Sequence, residues 1–498
     1  MPNIVNVLNF VRGVEPRSAD WEPCETLSHE IELNKKHGFP NTILLQYDAM
    51  LDKRVRDLLD STRDDKTEYG VWIEVVKPLV EACGIPWRGR EGFAWDWHVD
   101  PGFLQAYTAD EKHAVCDEVF RLFKELYGAY PRSVGSWMLD SESMRYMAEK
   151  YEIDAFCICR EQWGTDGYTL WGGYYNGAYY PSTDNMLQPA QTREKQVKAP
   201  VFRLLGIDPS YSYYEKSKQV FNGIPGRLFT LEPCWALGHD EHYISTLFGN
   251  IFDRENLGFG YAQLGQENSF FWRDVGKGLP MQLDFLAGRD DVEVLTLGET
   301  GRLFKSLYQE TPPTAITALD DFAGNGRQSV WYNCKNYRAN LYCDGESVYF
   351  RDIQVFDENN RDIYLDKPCR KESCLYTSYP VVDGLRFSDD SVKAGLYLAN
   401  GRIEKSENDD GALLVTVRTE SETPVTVRFT EESITVATAS PLTFRFAKEL
   451  PITATFSPAA VRFTYDNAHY TLQIADGRLD GTSLIPKDGR VTLTFDRK

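Results

Sequence analysis

The chain has 498 residues, of which 42% are hydrophobic and 26% charged, a composition typical of a globular protein with two or three domains. Its formal net charge of −20 argues against nucleic acid or an anionic membrane as a partner, because both bind basic patches. No segment is long and apolar enough to span a bilayer, and the start, MPNIVNVLNF, lacks the features of a signal peptide. These features predict a cytoplasmic protein, or a secreted one whose signal was removed, that acts on a neutral ligand such as a sugar.

Up to about Leu307, short apolar runs that predict strands alternate with amphipathic runs that predict helices. The clearest helix is TADEKHAVCDEVFRLFKELYG, where Thr108 and Glu111 form a capping box and Gly128 follows the last turn. Seven or eight such units favour a parallel barrel over a doubly wound sheet, and no glycine-rich phosphate loop follows a strand. The predicted strands are residues 4–10, 42–47, 93–97, 134–139, 155–159, 201–205, 227–231 and 259–264.

From about Pro313 the pattern changes to short alternating runs such as SVWYNC, PVTVRFT and VTLTFD, separated by turn residues. Strict alternation of apolar and polar residues is typical of strands with one buried face. The sequence therefore predicts an α/β barrel over residues 1–312 and an all-β sandwich over residues 313–498.

Five carboxylates stand where predicted strands end. Two carboxylates that flank one bond can hydrolyse a glycosidic linkage, one as acid and base and the other as nucleophile or as base for water. The alternative for each of them is that it caps the next helix or pairs with an arginine. They are Asp48, Asp140, Asp208, Glu232 and Glu267.

The segment WDWHVDPGF places Asp96, His98 and Asp100 close together in sequence. An imidazole and a carboxylate can bind a metal ion, and His239 with His242, in GHDEH, could complete such a site. Alternatively, His98 hydrogen-bonds a substrate hydroxyl or only its own loop. We predict no bound metal and no other cofactor.

Aromatic residues are densest in WGTDGYTLWGGYYNGAYYP, residues 163–181. Five glycines there disfavour a regular helix and favour a loop that displays rings such as Trp171 to a sugar, with Asp166 free for its hydroxyls. The alternative is a packed subdomain or a contact within a homo-oligomer.

Roughly residues 1–300 resemble the polysaccharide-deacetylase and glycoside-hydrolase superfamily with a seven-stranded β/α barrel, and are similar to glycoside hydrolase families 57 and 38, with the pattern carried by residues 98–157. The shared pattern is a strand end with a histidine, a helix that ends in G-x-x-P, and a strand that ends in an acid. The resemblance implies a distorted (β/α)7-type barrel with a β-sandwich behind it. It assigns the nucleophile to Asp140 and the proton donor to Glu267. Asn9 and Arg12 stand where those relatives carry histidines, which disfavours a deacetylase metal site.

Our first hypothesis is a retaining glycoside hydrolase that uses Asp140 and Glu267. The alternatives are a metal-dependent carbohydrate deacetylase that uses Asp48, His98 and His239, and a non-catalytic carbohydrate-binding protein. The residues expected to line the substrate pocket are Asp48, Trp97, His98, Asp166, Trp171, Asp208, Glu232 and His239.

Overall fold

The computed structural model describes residues 2–165, 168–204, 208–210, 220–221, 224–225, 230–388, 391–421, 423–446 and 451–496. Its helices are α1 Pro23–His37, α2 Tyr47–Leu51, α3 Lys53–Thr62, α4 Lys77–Ala82, α5 Val99–Gly102, α6 Ala109–Tyr127, α7 Ser141–Lys150, α8 Glu241–Phe252, α9 Trp272–Val275, α10 Gly278–Ala287, α11 Leu297–Leu307, α12 Ile363–Asp366 and α13 Gly384–Phe387.

The strands before residue 300 are β1 Asn3–Val11, β2 Asn41–Leu45, β3 Thr67–Trp72, β4 Ser133–Gly135, β5 Ala155–Cys159, β6 Gln162–Thr165, β7 Tyr168–Trp171, β8 Ala178–Tyr179, β9 Pro181–Ser182, β10 Asn185–Pro189, β11 Val201–Leu204, β12 Val220–Phe221, β13 Ile224–Pro225, β14 Gly260–Leu264 and β15 Glu293–Leu295. The later strands are β16 Thr314–Ala318, β17 Gln328–Asn333, β18 Tyr337–Cys343, β19 Ser347–Val355, β20 Cys374–Thr377, β21 Tyr379–Asp383, β22 Gly395–Asn400, β23 Arg402–Asp409, β24 Ala412–Arg418, β25 Val425–Phe429, β26 Ser433–Ala437, β27 Leu442–Arg445, β28 Ile452–Ser457, β29 Ala460–Tyr465, β30 Ala468–Ala475, β31 Gly477–Asp480, β32 Ser483–Pro486 and β33 Arg490–Asp496.

The first sheet is a nearly closed barrel of parallel strands in the order β14-β1-β2-β3-β4-β5-β11. Strand β15 also runs parallel to β1, and β8 is antiparallel at the outer edge of β11. Helices connect several successive strands, and α6, between β3 and β4, has the predicted capping box and a left-handed Gly128 at its end. All parallel strands therefore present their carboxyl ends at one face of the barrel.

The interior of the barrel below that face is filled by aromatic rings. Phe10 on β1 and Trp72 on β3 stack with ring centroids 3.9 Å apart, although β2 lies between their strands. Gly135 on β4 makes room for them, because a Cβ there would lie 2.7 Å from both Trp72 Cε3 and Cys157 Sγ. Side chains from β1, β3 and β5 thus converge inside the barrel, and they give the face a closed floor.

The strands from β16 onward, apart from β20, form two large antiparallel sheets. Their orders are β16-β17-β18-β19-β22-β27-β32-β31, with β21 beside β19, and β23-β24-β25-β26-β33-β30-β29-β28. Val330 and Phe350 of the first sheet share one hydrophobic core with Val427 and Leu472 of the second. This is a β-sandwich, and the predicted fold class is confirmed.

Residues 356–377 leave the sandwich and pack against the barrel. Val99 N donates to Glu372 O over 3.0 Å, and β20 pairs in parallel with β7. Cys374 and Tyr376 belong to the hydrophobic core of the barrel. The predicted boundary at 312/313 stays a prediction, but this segment of the later region completes the earlier one.

Among the helices that the structure describes, none has both the length and the apolar character needed to cross a lipid bilayer.

Candidate active site

Polar and aromatic residues follow the carboxyl ends of five parallel strands. Each lies one or a few residues beyond its strand, so all reach the same face of the barrel. They are Arg12 after β1, Gln46 after β2, Glu74 after β3, Trp137 after β4 and Glu267 after β14.

Arg12 is the centre of this group, and it is almost completely buried. Its Nε and Nη2 donate to the two carboxylate oxygens of Glu74, over 3.0 and 3.1 Å. Its Nη1 donates to Glu267 Oε2 and, over 3.2 Å, to Ser269 Oγ. The ring of Trp95 covers the guanidinium, with 4.1 Å from Cζ to the ring centroid. One cation therefore orients two carboxyl groups from opposite ends of the sequence.

Of the carboxyl groups that contact Arg12, Glu267 is the one best suited to transfer a proton. Burial raises its pKa to about 7, against the opposing charges of Arg12 and Arg17. Its side chain is 8% exposed, whereas that of Glu74 is 1% exposed. Near neutral pH, Glu267 therefore exists both as the acid and as the carboxylate, which is what a general acid and base requires.

Asp48 is a second carboxyl group whose pKa is raised. Its Oδ1 accepts from Gly13 N over 3.0 Å and from Ala49 N over 2.8 Å, whereas its buried Oδ2 has no hydrogen-bond partner among the described residues. Burial raises its pKa to about 6, and these two hydrogen bonds and the charge of Arg12 limit the rise. The backbone thus holds one oxygen of Asp48 and leaves the other available to a ligand.

The floor of the site contains further polar atoms without partners. Trp137 meets Phe10 and Trp72 edge-on, with ring centroids 5.2 and 5.5 Å apart. The indole Nε1 atoms of Trp72 and Trp137 and both amide atoms of Gln46 are buried, with no partner in the part of the chain that the structure describes. Buried polar groups are normally hydrogen-bonded, so this set of three donors and one acceptor suits a ligand or ordered water.

Glu232 lies at the same face of the barrel, beside the residues around Arg12. Its Oε2 lies 3.1 Å from Thr230 Oγ1, and the charge of Arg160 reaches it from the end of β5. Burial raises the pKa of Glu232 despite these groups. Both Glu232 and Glu267 act electrostatically on Cys234, whose Sγ accepts from Gln266 Nε2 over 2.8 Å. Glu232 therefore borders the Arg12 group, and its place among the pocket residues stays a prediction.

Trp97 lies at the outer side of this region. It is half-buried, and its ring contacts the guanidinium of Arg90 at 4.1 Å and that of Arg17 at 5.6 Å. Arg17 also lies over Trp95, the ring that covers Arg12. Trp97 is thus close to the rim of the candidate site.

Asp140 has contacts that explain its position without catalysis. It is the N-cap of α7, where Oδ1 accepts from Ser143 N over 3.1 Å and Oδ2 from Ser143 Oγ over 2.7 Å. Its Oδ1 also lies 3.1 Å from Nζ of the buried Lys112. These contacts are made with residues of α6 and α7, and none of them connects Asp140 to Glu267. The geometry therefore matches the alternative of a helix cap, and the nucleophile role stays an untested prediction.

The expectation that Trp171 displays its ring in a pocket is wrong. Trp171 is fully buried in a small core with Tyr175 and Trp331, and its Nε1 donates to Asp383 Oδ2 over 3.0 Å. The physical reason is that the sandwich covers this face of the aromatic segment. Asp166 lies outside the described residues.

Asp208 also lies towards the sandwich. It accepts from Ser210 N and Oγ over 2.8 and 2.6 Å, and the charges of Asp321 and Arg351 influence its pKa. Burial raises its pKa to about 6. The structure therefore does not place it with Arg12 and Glu267.

The residues proposed for a metal-dependent deacetylase do not come together. Asp48 contacts the Gly13 backbone, His98 Nδ1 lies 3.4 Å from Asp96 Oδ1, and half-buried His239 is influenced by Lys277 and Asp240. Within the described ranges, no three His, Cys, Asp or Glu side chains are arranged to hold a metal ion. This set of residues does not fit the deacetylase metal.

Comparison with known proteins supports the fold. A family model described as a domain of unknown function with a solved structure, DUF3863, matches residues 101–328, slightly less than half of the chain. No curated protein matches the sequence. A solved structure from Parabacteroides distasonis, provisionally described as a glycoside hydrolase/deacetylase, is 16% identical, with a TM-score of 0.55 over 76% of this chain and 90% of that one.

Two weaker similarities add nothing to that assignment. A family 57 branching enzyme from Thermococcus kodakaraensis has 12% identity and a TM-score of 0.33, over 62% of this chain and 71% of that one. A protein from Mycobacterium smegmatis, provisionally described as a polysaccharide deacetylase, has 11% identity and a TM-score of 0.37, over 61% of this chain and 90% of that one. The chain thus has the barrel-and-sheet fold of the Parabacteroides distasonis protein.

Proposed function

We propose that this protein is a carbohydrate-active hydrolase that cleaves a glycosidic bond, with Glu267 as general acid and base and Asp48 as its ionised partner. The observation that carries the proposal is a pair of buried carboxyl groups, both under the influence of Arg12, with pKa values raised to about 7 and about 6. Unequal titration of two carboxyl groups in one site gives one acid and one base at the same pH.

Each group has a defined task. Glu267 in its acid form donates a proton to the oxygen of the leaving group, and Arg12 fixes the orientation of the carboxyl group. Asp48 is anchored through Oδ1, so that Oδ2 is available to the reacting carbon or to a water molecule. We propose that Asp48 Oδ2 attacks the reacting carbon as a nucleophile, so that the configuration is retained. This mechanism requires the two carboxyl groups to lie about 5–5.5 Å apart when substrate is bound.

The floor of the site supports a sugar as the ligand. Aromatic faces pack against the apolar faces of sugar rings, and buried donors and acceptors pair with their hydroxyl groups. Trp137 supplies the ring and packs edge-on against Phe10 and Trp72, and Gln46 supplies an amide with both polar atoms unpaired within the described residues. The net charge of −20 fits a neutral carbohydrate better than a polyanion.

A screen of nitrophenyl glycosides that cover common sugars in both anomeric forms tests the proposal. We expect turnover of at least one substrate by the wild-type chain and loss of that turnover in Glu267→Gln and in Asp48→Asn. Saturable sugar binding without turnover would favour the non-catalytic carbohydrate-binding alternative. Turnover that survives in both variants would show that other residues carry the chemistry.

A further inference from the structure

The segment that follows β14, residues 265–269, continues the pairing of that strand with β1. Val7 is the partner of Leu264 at the end of β14, and Phe10 is the partner of Glu267 in a single parallel bridge, so the register between the two segments is unchanged. The segment therefore reaches the end of β1 in the register of the barrel sheet. Glu267 is placed there by strand pairing rather than by a free loop.

Asn268 is fully buried, and its side-chain amide pairs with the backbone of Arg12 as a neighbouring strand would. Its Oδ1 accepts from Arg12 N over 2.8 Å, and its Nδ2 donates to Arg12 O over 3.0 Å and to Pro23 O over 2.9 Å. Trp21 Nε1 donates to the backbone oxygen of Asn268 over 2.7 Å. Since buried backbone groups need partners, one side chain thus fixes both the N–H and the C=O group of Arg12.

Three consecutive residues of this segment bind Arg12. Asn268 binds its backbone, whereas Glu267 and Ser269 both accept from Nη1 of its guanidinium. The contacts form a closed ring that runs from the backbone of Arg12 through Asn268 and the adjoining peptide to Glu267, and back through the guanidinium. A shift of the Arg12 backbone along this segment would therefore separate the guanidinium from the Glu267 carboxyl group, although Glu74 would still bind two of its nitrogens.

We propose that Asn268 is a positioning residue for the proposed general acid. Its amide locks the backbone of Arg12 to the segment that carries Glu267, and it thereby keeps the guanidinium on the Glu267 carboxyl group. The inference rests on the proposed function, in which Glu267 transfers the proton. An amide that served the fold alone would change stability when it is removed, whereas a positioning amide also changes the protonation of Glu267.

The test follows the protonation of Glu267 in the full-length protein by infrared spectroscopy. The carboxylic acid band of Glu267 is obtained as the difference between each protein and the same protein that also carries Glu267→Gln, and this band is titrated with pH. The other groups that act on the protonation of Glu267, or on which it acts, are the same in every protein compared. They are Arg12, Arg17, Glu74, Ser269 and Cys234.

Asn268→Leu is the informative variant. Leucine has a similar branched shape and fills the same space, so Glu267 stays buried and only the amide contacts are lost. We expect the midpoint of the Glu267 titration to rise by about one pH unit from the wild-type pKa of about 7, because the charge of Arg12 then stabilises the carboxylate less. An unchanged or a lowered midpoint would overturn the proposal.

Asn340→Leu is the matched control. Asn340 is equally buried, on β18 of the sandwich, where its Nδ2 donates to Ser329 Oγ over 2.8 Å and its Oδ1 accepts from Arg351 Nε over 2.8 Å. We expect both leucine variants to lower the thermal midpoint, but only Asn268→Leu to shift the titration of Glu267. Equal shifts in the two variants would assign the effect to a general loss of stability and would overturn the proposal.

A second substitution keeps the test valid if Asn268→Leu does not fold. Asn268→Thr retains much of the volume and one oxygen that can accept from Arg12 N, and we expect a smaller rise of the Glu267 midpoint in the same direction. Absence of turnover in every glycoside screen, with the shift present, would overturn only the proposed function. Turnover by the wild type, with an unchanged midpoint in the folded Asn268 variants, would overturn only this inference.

Discussion

Arg12 donates to both carboxylate oxygens of Glu74, over 3.0 and 3.1 Å, and both side chains are buried. The same guanidinium also donates to Glu267. Because Glu74 occupies two nitrogens, the third is directed at Glu267. The orientation of the proposed acid therefore depends on a residue that takes no part in the chemistry.

Removal of Arg12 should cost both stability and activity. Arg12→Met leaves two carboxyl groups buried without their cation, and we expect a loss of roughly 3–5 kcal/mol in the free energy of unfolding at neutral pH. Chemical denaturation measures it. Arg17→Met is the control, because the Arg17 side chain is 40% exposed, and exposed pairs contribute about 0–1 kcal/mol. Equal losses in the two variants would contradict the central role of Arg12.

The rate of hydrolysis should depend on pH through two groups. Activity requires ionised Asp48 and protonated Glu267, whose pKa values are about 6 and about 7. We therefore expect a narrow bell-shaped profile of kcat/KM with its maximum between those values. Glu267→Gln should reduce the rate roughly 10²- to 10⁴-fold and abolish the basic limb. A basic limb that persists in the residual activity would assign it to another group.

Asp48 should make the stability of the protein depend on pH. Its pKa rises from 3.8 to about 6 on folding, so the folded state favours the protonated form. The associated stability is fully present below pH 4 and is lost as the pH rises through about 6, by about 3 kcal/mol in total. Asp48→Asn keeps an oxygen for the two backbone donors and should remove this dependence. Denaturation curves of both proteins at pH 4 and pH 8 measure the difference, and parallel changes would contradict it.

Substitutions of Asp140 distinguish a role as helix cap from a role as nucleophile. Asp140→Ala removes the cap of α7 and the partner of Lys112, and loss of the cap alone costs about 1–2 kcal/mol. Asp140→Asn preserves the cap, so we expect it to be more stable than Asp140→Ala and to retain hydrolysis. Thermal midpoints and kcat of the two variants give the answer. A folded Asp140→Asn protein without activity would restore the sequence-based assignment of Asp140 as the nucleophile.

The two tryptophans Trp171 and Trp97 should respond in opposite ways. Trp171→Ala empties a buried site and should cost about 3–5 kcal/mol of stability, with sugar affinity unchanged in the folded fraction. Trp97→Ala should weaken binding and change the thermal midpoint little, because the ring is only half-buried. The pair is compared by thermal midpoint and by titration calorimetry. If Trp171→Ala weakened sugar binding and Trp97→Ala did not, Trp171 would be a pocket residue after all.

Local signals in the sequence were sufficient for the barrel and the sandwich. The capping box at Thr108 and Glu111 and the glycine at position 128 are present as predicted, because they depend on neighbours within one helix. Residues 93–97 were predicted as a strand, but only Trp95 pairs, in a single bridge with Val76. The salt bridge between Arg90 and Asp96 holds that segment as a loop.

The centre of the candidate site could not be predicted in the same way. Arg12 and Glu74 are 62 residues apart, and Arg12 and Glu267 are 255 apart, so no local pattern connects them. The strand before Glu74, TEYGVW, has three residues that are only half-buried and lacks a clear apolar run. A carboxylate at the end of a predicted strand was the available signal, and it selected Asp48 and Glu267 but not Arg12. Trp171 was misjudged because the sandwich that covers it begins more than a hundred residues later.

The return of residues 356–377 to the barrel has a consequence for synthesis of the chain. Cys374 and Tyr376 complete the barrel core, and β20 pairs with β7 across about two hundred residues of sequence. Domains generally fold as units, N-terminal first, as they leave the ribosome. Here the core of the barrel is complete only after β20, the fifth strand of the later region, has also emerged. A ribosome that stalls before codon 377 would therefore expose an unfinished barrel to chaperones and proteases.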